Sequence, residues 1–237
     1  MRIVVNHLTR MRGGRICVAG VDIETRRHVR PVLPQGSLEA DFLARYRGPF
    51  DMANVVDLGT PEHRPKPPHV EDHLFRPYRA KCIDTLDQEK FWALLYTLSK
   101  PGLRKIFGSD LRRVGKSSAG TDAGKGTASL GCLSPKRKPR LAFRGEAEFG
   151  PAIRIRVDEG EFDVWVSVTD IRLYQDDHAT PDLAIVEKVR RRLERPGAVI
   201  LSVGLTRAYA TSADAKPIHW LQVNNIHLEH DPTWQLG

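Results

Sequence analysis

The sequence is poor in the residues that would indicate a cross-linked or metal-bound small domain. Its 237 residues include only three cysteines, Cys17, Cys82 and Cys132, and no two of them form a Cys-x-x-Cys pair. This pattern indicates neither a disulfide framework nor a zinc knuckle. A chain of this length buries an adequate core without such links. We therefore expect a cytoplasmic protein that folds without disulfides and without a bound cofactor.

Long apolar runs are also missing. The apolar stretch in the first ten residues is interrupted by Asn6 and His7, and it is too short for a signal peptide or a membrane span. The segments Gly115-Lys116-Ser117 and Gly124-Lys125-Gly126-Thr127 lack the preceding glycine of a phosphate-binding loop and follow no apolar strand. The sequence therefore predicts no membrane association and argues against nucleotide hydrolysis.

Positive charge is the strongest feature of the composition. Lysine and arginine number 37 against 29 for aspartate and glutamate, which gives a net charge of +8. Such a balance favours polyanionic partners and accelerates association with them. The alternative is a soluble basic protein that has no polyanionic partner. We take nucleic acid as the working hypothesis.

Periodicity predicts mostly strands, with a few helices. In the first half, strands are predicted at residues 2–9, 16–23, 28–33 and 53–58. Leu38, Phe42 and Tyr46 share a four-residue spacing, which predicts a helix over residues 37–46. Further helices are predicted from an N-cap at Thr85 and from an N-cap at Thr180. Residues 115–139 are rich in glycine, serine, threonine and lysine, which is typical of a mobile loop.

The second half has the strand and helix order of an OB fold. It begins with a short strand at residues 140–144, and a second strand follows in which Ile153, Ile155 and Val157 alternate with polar residues. A third strand, a helix and two more strands complete the order. We therefore predict an α+β, β-rich fold with two OB-like small β-barrels and accessory helices. The predicted parts of the chain are an N-terminal OB-like lobe with a helical insert at 1–115, a flexible basic loop or linker at 116–138, and a C-terminal OB-like barrel at 139–237.

Several segments resemble the dual OB-containing domain family of prokaryotes. They are Gly13-Gly14-Arg15-Ile16-Cys17-Val18-Ala19-Gly20-Val21-Asp22, Val29-Arg30-Pro31-Val32, Val70-Glu71-Asp72-His73-Leu74, Ser167-Val168-Thr169-Asp170, and Ile200-Leu201-Ser202-Val203-Gly204-Leu205 with Leu221-Gln222-Val223. The resemblance implies two fused OB-like barrels that recognise nucleic acid or a nucleotide. It also implies a role in antiviral defence or mobile-element conflict, with protein partners in a defence complex. It supplies no catalytic residues.

The best candidate for nucleic-acid contact is a pair of neighbouring strands in the second half. Strand alternation places Arg154 and Arg156 on the outer face of one strand and Trp165 on the outer face of the next. An aromatic ring flanked by guanidiniums can stack a base and attract its phosphates. The alternative is that Trp165 lies under a helix or at a domain interface.

Other basic residues join this candidate set. A run of charge beside the predicted loop could follow a phosphate backbone, and arginines around a Gly-Gly turn leave the backbone open to a ligand. A solvated linker and a tight hairpin explain these two features equally well. The full set of predicted nucleic-acid-binding residues is Arg12, Arg15, Arg30, Lys136, Arg137, Lys138, Arg154, Arg156 and Trp165.

A dense group of histidines and carboxylates, from His63 to His73, is the only candidate for catalysis. Its weak metal-ligand candidates are His69, Glu71 and His73, whose spacing matches no zinc motif in a proline-rich segment. A structural loop is the favoured interpretation. The sequence thus predicts a non-enzymatic module for single-stranded DNA or RNA, and the alternatives are a metal-dependent nuclease and a small-nucleotide sensor.

Overall fold

Each half of the protein is built around an eight-stranded sheet. The computed structural model describes residues 1–145 and 151–234. The strands of the first sheet are β1 (Arg2–Arg10), β2 (Arg15–Asp22), β3 (His28–Val32), β4 (Leu38–Glu39), β5 (Asn54–Asp57), β6 (Glu62–His63), β7 (Asp72–Leu74) and β8 (Lys81–Thr85). They lie in the order β6-β7-β3-β2-β1-β5-β8, and β4 pairs with β2.

The second sheet uses the rest of the chain. Its strands are β9 (Arg112–Val114), β10 (Ser118–Asp122), β11 (Leu130–Leu133), β12 (Arg140–Arg144), β13 (Ala152–Asp158), β14 (Asp163–Val168), β15 (Val199–Leu205) and β16 (Ile218–Leu228). The order is β11-β15-β16-β14-β13-β12, and β10 joins β16 to β9. We call the two halves the N-terminal lobe and the C-terminal lobe.

Both lobes contain the strand arrangement of an OB fold. In the C-terminal lobe, three antiparallel strands, β12 to β14, are followed by a helix and by β15 and β16, and β16 runs parallel to β14. In the N-terminal lobe, β1 to β3 are antiparallel and β7 runs parallel to β3. This agrees with the predicted order and the β-rich class.

The barrels are less closed than predicted. Within the described residues, β15 pairs with β11 and not with β12, so the C-terminal sheet is open between its first and fourth strands. The N-terminal sheet pairs its first strand β1 with β5, and within the same residues it is open between β5 and β7. A short additional strand lies at each edge of the N-terminal sheet, since β8 pairs with β5 and β6 pairs with β7.

The helices are short and start later than predicted. They are α1 (Gln88–Leu98), α2 (Leu103–Phe107) and α3 (Leu183–Glu194). The N-cap of α1 is Asp87, which accepts a hydrogen bond from the amide of Lys90, while Thr85 ends β8. The N-cap of α3 is Asp182 and not Thr180, since its carboxylate accepts from the amide of Ile185. In residues 1–145 and 151–234 no helix has the length and apolarity needed to span a bilayer.

The helix predicted over residues 37–46 is wrong. The segment contains β4 and two single turns of 3₁₀ helix, Ala40–Phe42 and Ala44–Tyr46. The chain then folds back, with hydrogen bonds from the amide of Phe50 to the carbonyl of Phe42 and from the amide of Ala44 to the carbonyl of Phe50. The four-residue spacing therefore marks side chains on a folded-back loop.

The predicted linker at residues 116–138 is part of the second sheet, because β10 and β11 lie within it. The apolar side chains up to Leu98 pack in the N-terminal core, whereas Leu103, Phe107, Leu111 and Ala119 pack in the C-terminal core. The predicted limits of 1–115, 116–138 and 139–237 would thus divide the second core. The chain passes from the first core to the second between Leu98 and Leu103, although Cys132, Ile171 and Ile200 also pack in the first core.

A buried ion pair between Asp170 and Arg172 holds Trp234 against the rest of the C-terminal lobe. Asp170 is fully buried, and its carboxylate accepts two hydrogen bonds from the guanidinium of Arg172 at 2.9 and 2.8 Å. The same guanidinium lies 3.9 Å from the ring centre of Trp234 and donates to the carbonyl of Ile226 at 2.9 Å. The carboxylate of Asp170 also accepts a hydrogen bond from the amide of Ile226 at 3.0 Å. Both charges are thus paired in the interior, and removing either partner would leave an uncompensated buried charge.

The two lobes meet through side chains that take the place of backbone partners. The side-chain amide of Asn225 accepts from the amide of Leu8 at 2.8 Å and donates to the carbonyl of Leu8 at 3.0 Å. The hydroxyl of Ser202 donates to the carbonyl of Asn6 at 2.8 Å. These bonds tie β1 to β15 and β16 in the interior, where unpaired backbone groups would be costly. We call this contact the inter-lobe seam.

The inter-lobe seam covers the outer face of the N-terminal lobe. Polar side chains of β1 and β3 that would otherwise lie in solvent are buried there, with His7 at 1%, Thr9 at 3% and Arg30 at 5% exposure. His7 contacts the side-chain amide of Asn224 of the other lobe at 3.0 Å. In the C-terminal lobe, by contrast, Arg154, Arg156 and Trp165 on the outer face of β13 and β14 are only partly buried.

The inter-lobe seam makes stability dependent on pH. His227 belongs to the seam, because its Nε2 lies 2.9 Å from the hydroxyl of Ser202. Burial lowers the pKa of His227 from 6.5 to about 4, and it lowers the pKa of His7 well below the usual value. The unfolded chain binds protons that the folded chain does not bind, so stability is complete above pH 6.5 and falls as the pH approaches 4. For His227 alone the loss is about 3 kcal/mol. Urea unfolding followed by tryptophan fluorescence between pH 7.5 and 4.5 measures it.

The matched variant is His227→Gln, which removes one titrating group from the seam. It should flatten the pH dependence between pH 6.5 and 4.5, although it lowers the stability at pH 7.5. An unfolding free energy of the unchanged protein that is constant over this range would contradict the assignment of neutral buried histidines to the seam.

Candidate nucleic-acid interface

Strand alternation carries arginines and a tryptophan to the outer face of the C-terminal sheet. On β13 and β14 the apolar residues Ile153, Ile155, Val157, Val164 and Val166 are buried. The residues between them lie on the opposite face, and Arg156 is directly opposite Trp165 in the antiparallel pair. The strand phase predicted from the sequence is therefore confirmed, and Trp165 is half-buried at the surface.

The neighbouring strand β12 widens this basic area. Arg140 is opposite Arg156, and Ala142 is opposite Arg154. Arg140 and Arg144 are exposed and lie on the same face of β12, because they are separated by an even number of residues. We call this surface the arginine face; it consists of Arg140, Arg144, Arg154, Arg156 and Trp165.

The charges of the arginine face are unequally compensated. Arg156 donates two hydrogen bonds to the carboxylate of Asp163 at 2.7 and 2.6 Å, so its charge is balanced. Arg154 donates to the carbonyl of Trp165 and, at 3.4 Å, to the hydroxyl of Ser167. The ion pairs of residues 1–145 and 151–234 do not include Arg154. Burial and the nearby charge of Arg144 lower the pKa of Arg154. An anion placed beside Arg154 would favour its charged form and so oppose the effects of burial and of Arg144 on its pKa.

Two aromatic residues that the sequence analysis did not select border the arginine face. Gln222 is paired with Ser167, so Trp220, two residues before Gln222, faces the same side of the sheet. The ring of Tyr209 lies 6.1 Å from that of Trp220, and the indole of Trp220 donates to the carbonyl of Tyr209 at 3.3 Å. Alternation along β16, where Leu221 and Val223 are buried, could have identified Trp220.

Arg30 does not lie on an open surface, contrary to its place in the predicted set. It is 5% exposed, and its guanidinium donates to Asp72 at 2.6 Å and to the hydroxyl of Ser129 at 3.2 Å. Asp72 also pairs with Arg207 at 2.7 Å. The sequence segment around Arg30 therefore serves the contact between the lobes.

The basic run before β12 lies apart from the centre of the arginine face. Arg137 forms an ion pair of 2.6 Å with Asp158 at the end of β13. Lys138 donates to the carbonyls of Glu194 and Arg195 at the end of α3, where the helix dipole favours a cation. Lys136 is exposed. These residues stabilise loop and helix ends on one flank of the lobe.

The turn between β1 and β2 carries the last two predicted residues. Arg12 begins a 3₁₀ turn, Arg12–Gly14, and is exposed. Arg15 starts β2 and pairs with Glu39 at 3.6 Å, with both side chains more than half exposed. Such an exposed pair contributes little to stability.

In the segment from His63 to His73, the rings of these two histidines stack on each other at 4.6 Å, and the other polar groups have separate contacts. Glu71 accepts hydrogen bonds from the amide and the hydroxyl of Ser129 at 2.8 and 2.7 Å. His73 contacts the carbonyl of Glu71 at 2.8 Å. Burial and the charges of nearby arginines lower the pKa of His69 to about 2. In the described part of the chain no three histidine, cysteine, aspartate or glutamate side chains are placed to hold a metal ion.

Comparison with known proteins gives one match. The sequence profile of a family described as Dual OB-containing domain matches residues 1–226. The matched part includes every strand through β15 and most of β16, so it covers both sheets and the arginine face. No curated protein and no solved structure matches the chain. The resemblance seen in the sequence is therefore confirmed, together with an OB-fold binding module as the coarse assignment.

Replacing Arg30 tests its structural role. Arg30→Ala should lower the free energy of unfolding by about 3 kcal/mol, the lower end for a broken buried ion pair, because Asp72 retains Arg207. Arg27→Ala, in an exposed turn of the same lobe, removes the same charge and should leave stability nearly unchanged. Urea unfolding of both variants measures this. A stable Arg30→Ala protein would return Arg30 to the candidate contact residues.

Proposed function

We propose that this chain, which belongs to the dual OB-containing domain family, binds single-stranded nucleic acid on the arginine face of its C-terminal lobe. OB folds bind oligonucleotides on the outer face of their second and third strands, beside the loop between the fourth and fifth. Here the second and third strands are β13 and β14. The corresponding loop, residues 206–217, carries Tyr209.

The observation that supports the proposal most strongly is the environment of Arg154. Its guanidinium is half-buried, is repelled by Arg144 and has no carboxylate partner among the described residues, which is electrostatically unfavourable. On α3 of the same lobe, by contrast, Arg190 is balanced by Glu187 and Glu194. A phosphate at Arg154 would supply the missing negative charge and two acceptor oxygens.

The aromatic residues favour a single strand over a duplex. Trp165, Trp220 and the half-exposed Tyr209 offer ring surfaces around the arginines. Bases in a duplex stack on each other, so their faces are inaccessible, whereas an unpaired base can stack on a side chain. Stacking tolerates any base. Binding should therefore depend weakly on sequence.

The salt dependence of binding tests this proposal. Within residues 1–145 and 151–234, the guanidiniums of Arg140, Arg144 and Arg154 form no ion pair, and these three charges predict a slope of log affinity against log salt of about −2 for a short oligothymidylate. Arg154→Ala should reduce the magnitude of this slope by about 0.7. Tyr209→Ala should weaken binding by about 1–3 kcal/mol at every salt concentration, because stacking releases few counterions. Fluorescence anisotropy with a labelled oligonucleotide measures both effects.

Matched variants separate these contacts from general charge and folding effects. Arg190→Ala removes one positive charge from α3 and should leave the slope unchanged. Tyr209→Phe keeps the ring and should bind like the unchanged protein. If the unchanged protein binds no oligonucleotide at low salt, or binds with a slope near zero, the proposed function is wrong.

A further inference from the structure

The turn Arg12–Gly14 of the N-terminal lobe lies at the border of the arginine face. The amide of Arg10, at the end of β1, donates to the carbonyl of Thr169 at 2.9 Å. Thr9 and Asp170 form an isolated antiparallel bridge. Because Thr169 directly follows β14, the end of β1 is fixed beside the end of β14. The turn that follows β1 therefore lies near the outer face of the C-terminal lobe.

Tyr209 connects this turn to the arginine face. Burial raises the pKa of its phenol, and the positive charges of Arg12 and Arg154 act in the opposite direction. Both guanidiniums are thus close enough to act on one ring, which is 51% exposed.

Arg12 has the features of a free contact for an anion. Its side chain is exposed, and the ion pairs of the described residues include Arg15 but not Arg12. The two residues that follow are glycines with φ of 74° and 72°, and a Cβ atom added at either would meet nothing within 4 Å. A phosphate can therefore approach the backbone of the turn as well as the guanidinium.

We infer that Arg12 and the glycines after it bind a phosphate of the same strand after it has passed Tyr209. The inference rests on the proposed function and extends it, because the binding track then crosses from the C-terminal lobe to the N-terminal lobe. The ligand class is a phosphodiester chain several nucleotides long. A strand that ends before Tyr209 does not reach Arg12.

The test compares two lengths of labelled oligothymidylate, 4-mer and 12-mer probes, in about 0.1 M salt. Arg12→Ala should weaken binding of the 12-mer about fivefold and reduce the magnitude of its salt slope by about 0.7, the amount for one phosphate. Binding of the 4-mer should be unchanged, since it occupies the arginine face alone. Circular dichroism and urea unfolding establish that the variant is folded.

The control is Arg27→Ala, which removes one exposed arginine beyond the opposite end of β2. The eight residues of β2 separate it from Arg12 by about 25 Å. It should bind both oligonucleotides like the unchanged protein. If the unchanged protein binds the 12-mer and Arg12→Ala binds it with the same slope, the inference is wrong and the proposed function stands. If the unchanged protein binds neither length, both are wrong.

Discussion

The structure depends on the way β1 is joined to the C-terminal lobe by side chains. Asn225 bonds both the amide and the carbonyl of Leu8, as a neighbouring strand would, and Ser202 bonds the carbonyl of Asn6. Without these partners, β1 would have buried and unsatisfied backbone groups at the contact. The inter-lobe seam thereby covers polar side chains of the N-terminal lobe, and a backbone hydrogen bond from Arg10 to Thr169 fixes the end of β1 beside β14.

This arrangement makes the two OB-like lobes unequal. The N-terminal lobe uses its outer face, with His7, Thr9 and Arg30, to hold the other lobe. The C-terminal lobe leaves its outer face open, and Arg154 lies there with a charge that no carboxylate among the described residues balances. In the described part of the chain, the outer face that remains partly open is thus that of β13 and β14. The N-terminal lobe contributes the turn at Arg12.

Local patterns in the sequence predicted the shared outer face of Arg154, Arg156 and Trp165, but they predicted neither Arg140 and Arg144 beside them nor the contacts between distant segments. The alternation around Ile155 and Val164 was sufficient because one face of β13 and β14 is buried, which fixes the direction of every second side chain. Arg30 could not be understood in this way, since Asp72 and Ser129 are 42 and 99 residues away. The prediction of a helix over residues 37–46 was wrong, because a four-residue spacing of apolar side chains also arises in a loop that folds back.

Hydrogen–deuterium exchange with and without a 12-residue oligothymidylate tests the central claim that only the C-terminal lobe presents its outer face. Amides protected by a bound strand exchange more slowly, and mass spectrometry locates them by segment. The account predicts slower exchange in β13, β14 and residues 206–217, and unchanged exchange in β2 and β3. Slower exchange confined to β2 and β3 would contradict it, since that result would require the ligand to bind the face that the inter-lobe seam covers.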